Sequence, residues 1–134
     1  MACYNEKVLN GIEFLNYYAK EKGIEFSNYH IKLNTDPKNP GIRGASREVT
    51  VTAKFSDEQM AIVRENMRLY QDPQELTKTA RDYAIKCKKF PDDAEFEVMA
   101  EDIGKTELKI IGSSVFAIAA VVDILFPTEQ KRTI

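Results

Sequence analysis

Arg47-Glu48-Val49-Thr50-Val51-Thr52-Ala53-Lys54-Phe55-Ser56-Asp57-Glu58-Gln59 is the stretch whose reading decides the fold. Val49, Val51, Ala53 and Phe55 fall on one side of a pleated strand, and Glu48, Thr50, Thr52 and Lys54 on the other, so one face is core and the other wet. Ser56 follows at once, with Gln59 three positions on. This is a capping box: the serine hydroxyl accepts from the amide three residues ahead, and the glutamine reaches back to the cap. A strand therefore runs straight into a helix, and Met60, Val63, Met67 and Tyr70 continue at helical spacing.

Downstream, Asp72-Pro73-Gln74-Glu75 opens another helix, with Pro at the first position, where its missing N–H costs nothing. Leu76, Ala80, Tyr83 and Cys87 form its stripe. It is expected to end at Phe90-Pro91, with Lys86, Lys88 and Lys89 against its C-terminal dipole. Upstream, the turn formers between Thr35 and Ser46 mark a long loop. Before it, Ile24-Glu25-Phe26 and Tyr29-His30-Ile31-Lys32-Leu33 alternate in opposite phases, which a kink or bulge near Ser27-Asn28 would reconcile. A first helix is capped by Asn5 and stopped after Lys22 by Gly23. Tyr4, Val8, Ile12, Leu15 and Ala19 form its stripe. Leu9, Phe14 and Tyr18 widen that stripe, so the helix contacts more than one surface.

Toward the C-terminus, Phe96, Val98 and Ala100 alternate with Glu95, Glu97 and Glu101. Leu108 and Ile110 alternate with Glu107 and Lys109, across a turn expected at Asp102-Ile103-Gly104-Lys105. A last helix starts at Ser113 or Ser114, runs to Phe126 and stops at Pro127. It is apolar nearly all round, so it belongs in the centre of the domain or in a subunit interface. The order α-ββ-αα-ββ-α gives the α+β class: a single domain over residues 1–127, an antiparallel sheet packed against helices, and a flexible tail over 128–134.

The chain has 134 residues, 43% hydrophobic and 30% charged, with a net charge of -2. That length buries a sufficient core without disulfides or a structural metal, and the composition excludes disordered and collagen-like classes. Cys3 and Cys87 stand apart with no C-x-x-C and read as free thiols of a reducing compartment. No secretory signal or membrane span is legible, and the expected location is cytoplasmic. Charge is uneven: residues 1–45 hold six basic and five acidic side chains, residues 46–91 nine and seven, and residues 92–134 four and nine.

The strand over 47–55 and the two capped helices over 57–90, with Leu76, Ala80, Arg81 and Tyr83, resemble the ribbon–helix–helix family of DNA-binding dimers. That resemblance implies a strand paired across a dimer in the major groove, with Thr50, Thr52 and Lys54 as readers. It covers about a third of the chain, and its motif is degenerate. Here Tyr70 and Gln71 stand where the family has glycine, the acidic Asp72 would face phosphate, and the strand at Tyr29–Leu33 offers an intramolecular partner.

No catalytic set is legible. His30 is a lone histidine in a strand, with no nucleophile placed beside it by the sequence. Asp92, Asp93, Glu95 and Glu97 alternate across a strand and cannot easily converge on a metal or a substrate. Two features suit an anion: the guanidinium forks of Arg43 and Arg47 on a glycine-containing loop, and the helix start at Ser113 and Ser114. The six tyrosines, in a chain without Trp, suit interfaces and ligand walls. The resulting expectation is a non-catalytic binding protein, homodimeric, needing no cofactor or metal, that captures a partner protein or a small nucleotide-like anion through Arg43, Arg47, Ser113 and Ser114.

Overall fold

The computed structural model describes residues 6–33, 47–86 and 96–127. The elements are α1 (Glu6–Lys22), β1 (Glu25–Leu33), β2 (Arg47–Lys54), α2 (Asp57–Met67), α3 (Pro73–Lys86), β3 (Val98–Gly104), β4 (Glu107–Gly112) and α4 (Val115–Leu125). The order matches the pattern read from the sequence. All pairings are antiparallel, and the strands lie in the order β1-β2-β4-β3.

Three helix boundaries have a local chemical cause. Gly23 adopts a φ of +77°, its amide bonds to the Lys20 carbonyl, and the Ile24 amide returns to the Ala19 carbonyl. This is a Schellman stop, with Ile24 buried beneath it. The capping box at Ser56 is complete: Ser56 Oγ accepts from the Gln59 amide at 3.1 Å, and Gln59 Oε1 accepts from the Ser56 amide at 2.8 Å. Gln59 Nε2 also donates to the Gly23 carbonyl, tying the start of α2 to the end of α1. Asp72 accepts from the Gln74 amide and so caps α3.

The phase flip in β1 is a bulge. Phe26 pairs with Ala53 and Ile31 with Val49, the register shifts between Ser27 and His30, and Asn28 takes a φ of 55°. One extra residue turns both halves of the strand inward. The β3–β4 turn differs from expectation. Strand β3 runs on to Gly104 through an irregularity after Asp102, and the reversal falls on Lys105-Thr106, with Lys105 at a φ of 51°.

The inner sheet face (Val49, Val51, Ala53, Val98, Leu108, Ile110) is fully buried under helices. At the centre is α4, packed against α1, α2, α3, β3 and β4. Its burial is met within one chain, so it does not itself require a second subunit. The other face of the sheet is open, and one row runs across it as Met99, Ile111, Thr50 and His30. Strand β2 is paired on both edges, to β1 and to β4. The two-chain ribbon implied by the ribbon–helix–helix resemblance therefore has no free strand edge at β2, and Thr52 on that strand is buried. Expectations that rest on Asn5, Cys3, Cys87, the loop before Arg47, Phe90-Pro91 and residues 128–134 lie outside the described residues.

Candidate functional site

A groove of about 190 Å³ opens between α1 and α3 over the outer surface of α4. Its construction follows from helical period. Phe14, Tyr17, Tyr18 and Glu21 stand at i, i+3, i+4 and i+7 on α1, and Phe116, Ala119, Ala120 and Asp123 repeat that spacing on α4. Tyr83 and Ala84 close the third side from α3. The two alanines make a shallow floor, because a methyl group leaves room that a larger side chain would fill.

The walls are aromatic. Phe14 and Phe116 meet with ring centroids 5.0 Å apart, and Phe14 lies near-parallel to Tyr18 at 6.3 Å. Tyr17 is 67% exposed and Phe116 43% exposed, so both rings face solvent at the groove.

Asp123 anchors the arrangement. It is the lone acid in an otherwise apolar helix, and its carboxylate gathers three donors: Tyr18 Oη at 2.5 Å, Tyr83 Oη at 2.9 Å and Lys22 Nζ at 3.1 Å. The ion pair is nearly dry, with the Lys22 and Asp123 side chains 8% and 13% exposed. Lys22 also donates to the Phe126 carbonyl at 2.7 Å and lies 5.4 Å from the Phe126 ring centroid. That carbonyl and the one on Leu125, which accepts from Asn66, belong to the C-terminal end of α4, where a cation is favoured.

Burial, followed by the adjacent Asp123 charge and its hydrogen bond, pushes the Tyr18 phenol far above the ordinary tyrosine range. Tyr18 is therefore a fixed neutral donor. A group poised for proton transfer needs a pKa moved toward the working pH, and Tyr18 moves away from it. The cluster orients rings and holds helices together.

Ser113 and Ser114, singled out in the sequence, do not line the groove. Ser113 Oγ accepts from the Glu97 amide at 3.0 Å, and Ser114 Oγ caps α4 by accepting from the Ala117 amide at 3.2 Å. Both serines are buried, and these bonds join β3 to β4 and start α4. Arg47 opens β2 with its backbone opposite Leu33. The register that pairs Val49 with Gly112 brings that end of β2 near the two serines. Arg43 lies outside the described residues. His30 is exposed on the open sheet face and does not line the groove. Among the described residues, no three His, Cys, Asp or Glu side chains gather as metal ligands, and no helix is long and apolar enough to cross a membrane.

The groove itself was not legible in the sequence. One signal was present: an acid inside an apolar helix must find partners, and Lys22, Tyr18 and Tyr83 are those partners. Compared with family models, curated proteins and solved structures, the chain matches none.

Proposed function

We propose that this chain is a non-catalytic interaction protein that captures a partner protein by seating one of its side chains in the α1–α3 groove. The observation that carries this reading is the exposure of Tyr17 and Phe116 beside an aromatic concavity. Rigid aromatic rings around a pocket are the usual anchor of a protein interface, since they offer large contact area at low entropic cost. The fixed protonation of Tyr18 and the full engagement of Asp123 support binding rather than turnover.

Selection of displayed peptides on the protein, followed by chemical-shift mapping on ¹³C-methyl alanine, tests the reading. Selected peptides are expected to shift the Ala119 and Ala120 methyls and to lose affinity for a Tyr17→Ala, Phe116→Ala variant. Peptides that map to the open sheet face, or that ignore the double substitution, would refute it.

A further inference from the structure

We infer that the side chain this groove receives is a cation, an arginine or lysine from a basic segment of the partner. The inference rests on the docking reading above and specifies its chemistry. Of the residues lining the groove, the two that carry charge are carboxylates, Glu21 and Asp123; among the described residues no basic side chain lines it. The remaining walls are aromatic rings, whose faces carry the negative part of the π quadrupole and attract cations.

Of the three phenol donors lining the groove, Tyr18 and Tyr83 are already engaged. The Tyr18 O–H is taken up by Asp123 and the Ala119 carbonyl, and Tyr83 donates to Asp123, so both present ring surface to a guest. Asp123 is offset by Lys22 behind it. The negative charge left for a guest is Glu21, which is exposed beside Tyr17 and Tyr18 on α1. The fold already treats one of its own cations this way: Lys22 is held by a carboxylate, a carbonyl and the Phe126 ring. A volume of about 190 Å³ suits the end of one long side chain. An aliphatic stem would lie over the floor at Ala119 and Ala120, with its charged head between the rings and Glu21.

Blocked glycine-flanked pentapeptides with a central arginine, lysine, norleucine or glutamate are the probes, titrated against methyl-labelled protein and its Glu21→Gln variant. Glu21 is exposed, so that variant keeps the fold. The arginine and lysine peptides should shift the Ala119 and Ala120 methyls saturably. Norleucine should bind about three- to fivefold more weakly, the advantage expected of a partly exposed cation–π and carboxylate contact. Glu21→Gln should weaken the arginine peptide by a similar factor and leave norleucine unchanged. Equal binding of norleucine, or tighter binding of glutamate, would overturn the cation assignment while leaving the groove as a docking site. If no peptide moves either methyl, the docking reading falls with it.

Discussion

Asp123 shows how one residue can hold a site in place. A carboxylate inside an apolar helix is tolerated only if paired, and removing one partner of a nearly dry ion pair strands the other. Asp123→Ala is therefore expected to lower stability by about 3 kcal/mol in urea unfolding, because Lys22 loses its counter-ion and two phenols lose their acceptor. Replacing both ends, Lys22→Met with Asp123→Leu, should recover much of that loss, so the double-mutant cycle will be strongly non-additive. Arg64 and Asp102 make the contrasting case. This pair joins α2 to the β3–β4 hairpin through contacts of 2.7 and 3.3 Å, and Arg64 also reaches the Lys105 carbonyl. The bond to Arg64, followed by the Gly104 amide, holds the Asp102 carboxyl below its usual range. A depressed folded-state pKa contributes stability above the unfolded value, near pH 4, and that contribution is lost as pH falls through the folded value. Solvent exposure keeps it small. The stability difference between wild type and Asp102→Asn should thus shrink as acid titration passes below the ordinary aspartate range.

At the level of elements, the capping box and the glycine stop can each be tested alone. Ser56→Ala should cost about 1 kcal/mol by removing the acceptor for the Gln59 amide. Gly23→Ala should also destabilise, by about 1 kcal/mol, because alanine is strained at the left-handed φ that the Schellman stop requires. Thermal unfolding of both variants reads these costs. The same elements show why much of the fold was legible. The β2–α2 junction is decided by neighbours in the chain: alternation through Phe55, then serine and glutamine at a fixed offset. The break in β1 was legible as a kink or a bulge, since two apolar phases in one strand admit few other solutions, and the register makes it a bulge. The reversal after β3 was misplaced because Lys105 takes a left-handed conformation that its side chain does not advertise. Strand order and the groove were not legible. The first depends on β2 meeting β4 across two intervening helices, and the second on Phe14, Tyr83 and Phe116 meeting from distant parts of the chain.

For the molecule as a whole, the buried phenol of Tyr18 couples folding to alkali. Its folded-state pKa lies above the unfolded value near 10, so its contribution is fully present below that pH and is lost as pH rises beyond it. Urea midpoints of wild type should fall more steeply above pH 10 than those of Tyr18→Phe, and tyrosinate absorbance should show Tyr18 ionising only as the chain unfolds. The central place of α4 has another consequence, for synthesis. This helix follows every other described element in the chain, yet it touches most of them. A nascent polypeptide growing at about 5–20 residues per second therefore carries Val98, Leu108 and Ile110 without the helix that packs on their strands until the final turns of α4 leave the ribosome. Chaperones have their opportunity in that interval, and the core can close only once translation has passed Leu125.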